Sequence, residues 1–238
     1  MRFKFLWLIC LAVFAMLLIL VGSLRGLSQS GNKSELWKDP TTLRARVERE
    51  KAKGHRKVIF PAPLMEYPDS ISLETAIRET TIVVADVLDK QSRQLDPNTI
   101  ATFYRLGVIE RLSEPTSPPC CNPKDHNFPT DLPALRENEM YFVGIGGTIV
   151  LDEVEVTVKE DFEDLQPNRR YLFFLSATES GKFSVGKVGP RGVFTVAGDG
   201  YLDSRLKRFR LGRELESKAG NSLTKLKNEI IRLKESRK

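Results

Sequence analysis

The chain has 238 residues, 41 % hydrophobic and 29 % charged, with three cysteines and a formal net charge of +6. That balance supplies enough apolar side chains for a packed core and excludes a disordered tail, a collagen-like repeat or a disulfide scaffold. The charge is segregated: residues 1–57 hold 12 Lys/Arg and 4 Asp/Glu, residues 58–204 hold 13 and 23, and residues 205–238 hold 12 and 4.

From Phe5 to Leu24 twenty residues pass without a charge, with Arg2 and Lys4 before them and Arg25 after them. At ~1.5 Å rise per residue this run matches a hydrocarbon layer of about 30 Å. It is longer than the roughly 7–15 apolar residues of a secretory signal, and no A-x-A cleavage pattern comes after it. An uncleaved anchor is therefore favoured over a cleaved signal, which would leave the protein secreted. Arg25, Lys33, Lys38 and Arg44 outnumber Arg2 and Lys4, so the basic count alone would keep the body in the cytoplasm. A single N-terminal span ordinarily exports the chain beyond it, and an extracytoplasmic body is the expectation. The division expected is 1–25 as transmembrane anchor or signal, 26–69 as basic tether and short helix, 70–204 as a β domain, and 205–238 as a basic amphipathic helix.

Residues 26–38 are polar and tether-like. Asp39-Pro40 has the form of a helix start, and the helix it predicts ends near Gly54 with only Leu43 and Val47 as an apolar pair. Such a helix is a solvated spacer or a weakly docked arm. Residues 58–68 contain three prolines and are extended. Ser72 opens a short helix with Leu73, Ala76 and Ile77 on one side. Strands come next over 81–88, 100–112, 140–145, 148–158, 170–176, 182–187 and 192–197, the fourth turning as a hairpin at Asp152-Glu153. Six or seven strands joined by short turns predict a mainly β fold, a small antiparallel barrel or a sandwich. In Leu206–Lys238, Ala219, Leu223, Leu226, Ile230 and Leu233 recur at spacings of four and three, the seam of a helix that needs a partner. That partner is the body or a second copy.

The succession VVADVL, TFYRLGVIERL, GGTIVLDEVEVTV, NRRYLFFLS and GKFSVGKVGPRGVFTV resembles a class of exported bacterial small β-barrel domains of uncharacterised function. These are similar in shape to the oligomer-binding barrel and its netrin-like variant. The resemblance covers roughly residues 70–200 and implies a barrel. It brings no catalytic motif. Glu153 departs from it, standing where the hairpin turn favours glycine.

Chemistry is concentrated in the insert 113–138, where Cys120, Cys121, Asp125 and His126 fall together. Soft and borderline ligands in this order suit zinc or copper, although adjacent thiolates fit a standard site poorly. In an oxidising compartment a disulfide is the stronger reading. His55 lies in the basic arm, and no glycine-elbow pattern accompanies any serine. Gly144, Gly146 and Gly147 sit between strands and mark a bulge or tight link rather than a phosphate cradle. The acidic pairs at 160–164 read as a solvated loop in preference to a calcium site. Phe103, Tyr104, Tyr141, Phe142, Phe173 and Phe174 read as core. Arg205, Lys207, Arg208, Arg210 and Arg213 are candidates for contact with an anionic surface.

Together these readings predict a membrane-anchored extracytoplasmic protein with a non-catalytic binding domain and no cofactor. Its partners would be the membrane, other envelope proteins or a second copy of itself through the C-terminal helix. Nucleic acid is disfavoured by the acidic body. The alternatives are a cytoplasm-facing domain gripping anionic lipid or nucleic acid through its basic arms, and a metal- or redox-active protein using residues 120–126.

Overall fold

A computed structural model describes residues 42–61, 71–115, 129, 131–159, 165–177, 183–186, 192–203 and 209–236. Among them the chain order is α1 (Leu43–Ala52), β1 (Lys57–Phe60), α2 (Leu73–Glu79), β2 (Thr81–Gln94), β3 (Ile100–Ser113), β4 (Glu139–Ile145) and β5 (Gly147–Leu151). Then come β6 (Val154–Val158), β7 (Arg170–Ala177), β8 (Phe183–Gly186), β9 (Val193–Val196), β10 (Leu202–Asp203), α3 (Arg210–Ala219) and α4 (Leu223–Glu235).

The body is mainly β, as the alternating sequence predicts. Its larger sheet runs β10-β9-β7-β2-β3-β4-β8, and β1-β6-β5 form a smaller one. The strand β8 lies parallel to β4 and also pairs antiparallel with β7. The sequence predicts an all-antiparallel arrangement, and two pairings depart from it: β4 with β8 and β1 with β6 are parallel. Parallel neighbours need long connections, and both pairs are joined through several intervening elements.

The β2–β3 hairpin organises the core. Each strand has 14 residues, and register shifts at Ile82/Val83, Val84/Ala85 and Val87/Asp89 bend and twist the pair. On one face of β2, Val83, Ala85 and Val87 meet Tyr104, Leu106, Met140, Phe142 and Phe173. On the other, Ile82 and Val84 meet Leu172, Phe174 and the helices. Burial on both faces explains the unbroken apolar run Ile82–Ala85.

The C-terminal segment is two helices rather than one. Gly220 (φ 55°) and Asn221 (φ 54°) take left-handed conformations between α3 and α4, and Ser222 caps α4 by accepting from the Lys225 amide. The seam residues Ala219, Leu226 and Ile230 are buried beside Leu73, Ala76 and Ile77 of α2, with Leu223 and Leu233 packed at the margin. Glu214 ties α3 to the start of α2, accepting from the Leu73 amide at 2.9 Å.

The start of α1 is corrected. Its N-cap is Thr42, which accepts from the Ala45 amide at 3.2 Å, while the expected cap Asp39 lies outside the described residues. Leu43 and Val47 are buried with Val154, Val156, Val158 and Ile100, so α1 is a docked element and not a solvated spacer. Residues 58–60, within the segment 58–68 expected only to be extended, pair along β6 together with Lys57.

Candidate functional site

A surface concavity begins where β4 turns into β5. Gly146 and Gly147 have φ of 114° and 126°, conformations that favour glycine. A Cβ on Gly147 would collide with the hydroxyls of Thr102 and Ser92. Those hydroxyls lie 3.0 Å apart, and Thr102 donates to the Gly146 carbonyl at 2.9 Å, fixing the start of β5 against β2 and β3. The glycine cluster is thus the tight link the sequence predicts.

At its far end β5 turns back through Asp152 (φ 48°) and Glu153 (φ 69°). Two positive φ values in a two-residue loop define the type I′ hairpin, which usually takes glycine or asparagine. Helix α1 clamps the unfavourable pair: Arg44 reaches the Asp152 carboxylate at 3.1 Å and 3.2 Å, and Lys51 donates to the Asp152 carbonyl at 2.8 Å. The predicted hairpin is present, and Glu153 occupies the glycine-type position in strained form.

Between these fixed ends lies an open groove of about 520 Å³, with Ser92–Gln94 of β2 on one wall, Thr148–Leu151 of β5 on the other and Glu155 behind. Successive strand residues point to opposite faces, so a wall made of consecutive residues is a strand edge and not a sheet face. The pairings agree: among the described residues β5 pairs with β6 alone, and beyond Val87 the partner of β2 is β3 alone. The closing pair Leu151–Val154 of a two-residue hairpin is hydrogen-bonded, and alternation then turns the main-chain groups of Thr148 and Val150 toward the groove. On the opposite wall the Leu95 amide donates to the Thr99 carbonyl at 2.9 Å, so the same alternation directs those of Ser92 and Gln94 away from β3.

Three further features distinguish this edge. Residues 147–151 contain no charge and no proline, the usual blockers of strand addition, and Val150 is 71 % exposed. The Gln94 side-chain amide nitrogen is buried without a hydrogen-bond partner. The charges on the walls are already matched: Arg93 lies 3.8 Å from Asp131, and Glu155 lies 3.2 Å from Lys57.

A second polar cluster crosses the outer face of β2, β3 and β4. Arg105 bonds Asp89 at 2.6 Å and 2.9 Å and Glu139 at 3.4 Å. The hydrogen bonds that Arg105 donates to Asp89 outweigh partial burial and hold the guanidinium more firmly protonated than usual. Burial also raises the Tyr141 phenol, whose hydroxyl donates to the Pro133 carbonyl at 2.9 Å. Leu132 and Leu135 cover Ala101, Phe103, Tyr141 and Val143, so these aromatics are core, as expected, and present no open stacking face.

Of the residues singled out from sequence, Cys120, Cys121, Asp125 and His126 lie outside the described residues. So do the Phe5–Leu24 run, the acidic pairs at 160–164, and Arg205, Lys207 and Arg208. Arg210 pairs with Glu214 at 2.7 Å, and Arg213 is exposed on α3. His55 is exposed and sits 2.8 Å from Glu50. Among the described residues no three His, Cys, Asp or Glu side chains gather as a metal site, and no helix is long and apolar enough to cross a membrane. Sequence reasoning missed the groove, although the uncharged edge TIVL beside a double glycine was its visible signal. No protein-family model, curated protein or solved structure matches this chain.

Proposed function

We propose that this protein is a membrane-anchored, extracytoplasmic binding module, held by residues 5–24 and engaging another envelope component through its β body. The observation that carries the binding role is the open groove between the β2 and β5 edges, which among the described residues have no strand partner on that side and gather no catalytic set. The uncharged run Phe5–Leu24 supports the anchor. A barrel of the oligomer-binding type is part of this reading. It is supported by the cyclic succession β7-β2-β3-β4-β8 and by the return of β8 to β7, with β4 and β8 parallel. The small β1-β6-β5 sheet and α1 then cover one end of the barrel at Ile100, and α2, α3 and α4 cover one side.

The rival in which basic arms grip lipid or nucleic acid has less support in the C-terminal arm, where Arg210, Lys218, Lys227 and Arg232 are ion-paired within the chain. Protease treatment of intact bacterial spheroplasts tests the proposal. Digestion of residues 58–204 in intact spheroplasts, with the anchor retained in the membrane fraction, is the expected result. Protection that disappears only on lysis would place the body inside and refute it.

A further inference from the structure

The outer face of the small β1-β6-β5 sheet carries an assignment that rests on the anchor proposed above. We infer that this face lies on the lipid surface of the membrane holding the chain's own anchor, with Ile59 and Val150 entering the headgroup layer.

Strand alternation and register place six side chains there: Lys57 and Ile59 of β1, Glu155 and Thr157 of β6, and Thr148 and Val150 of β5. The opposite face of the sheet is buried against α1 and Ile100. Ile59 is 64 % exposed and Val150 71 %, more than any other large apolar side chain among the described residues. Both stand on one face of one three-stranded sheet, which sets them apart from singly scattered surface hydrophobics. Thr148 and Thr157 hydrogen-bond each other at 2.8 Å, and Lys57 lies 3.2 Å from Glu155. The face therefore has no net charge, and contact with a headgroup layer leaves none of these polar side chains without a partner.

Size, tether and charge choose a bilayer over a protein partner. A stable protein interface takes about 20–30 residues a side, and this face offers six, two of them apolar. A body already tethered to the surface needs far less, because docking is then intramolecular. Seventeen residues, 25–41, separate the apolar run from Thr42, and even fully extended they span at most about 60 Å. The chain enters the body at α1, which packs on this same sheet, so the tether holds this end to the membrane. Residues 42–57 carry seven Lys/Arg and two Asp/Glu, whereas residues 58–204 carry 13 and 23. An anionic lipid surface attracts the first group and repels the second. Thr148 and Val150 also belong to the groove wall, so docking sets the groove at the membrane surface.

The test uses the full chain in nanodiscs of phosphatidylcholine and phosphatidylglycerol, doped with a gadolinium-chelating lipid. Nuclear magnetic resonance reads paramagnetic relaxation at the Ile59 and Val150 amides, with Thr224 and Asn228, exposed on α4, as the reference. Ile59 and Val150 should relax at least about fivefold faster than the reference. Ile59→Thr combined with Val150→Thr keeps β-branched side chains at exposed positions and should bring that ratio below about two. Thermal unfolding checks that the variant folds.

Equal relaxation at all four positions would overturn the inference. So would faster relaxation on α4, which would turn the basic C-terminal helices to the membrane, or a ratio untouched by the double substitution. Slow relaxation at Ile59 and Val150 that appears only when several chains share a disc would give the face to a second copy and overturn it too. A chain that does not stay with the discs would remove anchor and docking together, whereas a retained chain with uniform relaxation removes the docking alone. Discs expose both sides of the bilayer, so this readout is independent of the spheroplast result.

Discussion

The docking of α1 decides whether the N-terminal basic arm is held by charge or by packing. Val47 is fully buried, and Val47→Ala removes two methyl groups. At about 0.8 kcal/mol per methylene-sized group plus a small cavity, the expected loss is ~2 kcal/mol. Arg44 pairs with Asp152, but their side chains are 47 % and 37 % exposed, and alanine is the better helix former. After solvent screening Arg44→Ala should cost less than ~1 kcal/mol. The Lys51–Glu153 pair is weaker still, since the Glu153 side chain is 88 % exposed. Packing should therefore exceed charge by at least about twofold. Urea unfolding of the full chain in micelles, monitored by far-UV circular dichroism, measures both variants at about 0.05 M and 1 M salt. The Val47→Ala loss should persist at high salt, where a Debye length near 3 Å removes most of the Arg44 contribution. If Arg44→Ala were the costlier change at low salt and became harmless at high salt, attraction between basic arm and acidic body would hold α1, and the packing argument would fail.

Other substitutions probe the rest of the framework. Glu153→Gly relieves a left-handed residue at φ 69° and loses only an exposed ion pair, so it should stabilise by ~0.5–1 kcal/mol in the same urea titration. Gly147→Ala places a methyl group against Thr102 and Ser92 at a φ of 126° and should destabilise by more than ~2 kcal/mol. A melting temperature equal to that of the parent would refute that corner geometry. Glu214 is partly desolvated, which by itself favours the neutral acid, yet Arg210, the Leu73 amide and Lys218 together hold its pKa below the ordinary value. A depressed carboxylate pKa contributes stability that is present in full at neutral pH and is lost as pH falls through the ordinary carboxylate range and below. Glu214→Gln should accordingly lower stability at pH 7 and flatten the acid limb of a stability–pH curve. An unchanged acid limb would count against that role.

The strands of the body were legible because each carries its own alternating or continuous apolar pattern, as in Val154, Val156 and Val158 or in Arg170–Ser176. The turn at Asp152-Glu153 was legible from the break in that pattern, even without glycine. The C-terminal seam from Ala219 to Leu233 showed which face needed cover, and the uncharged run from Phe5 to Leu24 pointed to a membrane, both through local spacing alone.

Every relation between distant segments stayed hidden. Thr42 takes the cap expected at Asp39 because docking Leu43 and Val47 into a particular cluster sets where the helix begins. The parallel pairing of Lys57–Phe60 with β6, the left-handed break at Gly220 and Asn221, and the coverage of Phe103 and Tyr141 by Leu132 and Leu135 likewise depend on remote partners. The groove has the same origin. Residues 92–94 and 148–151 leave no joint mark in sequence, because an unpaired edge is defined by the strand that does not lie beside it. Local periodicity determined which residues form strands and which side chains are buried. Only the tertiary structure decided which edges meet, since ladder partners are chosen by chain connection and by the surfaces other elements have already covered.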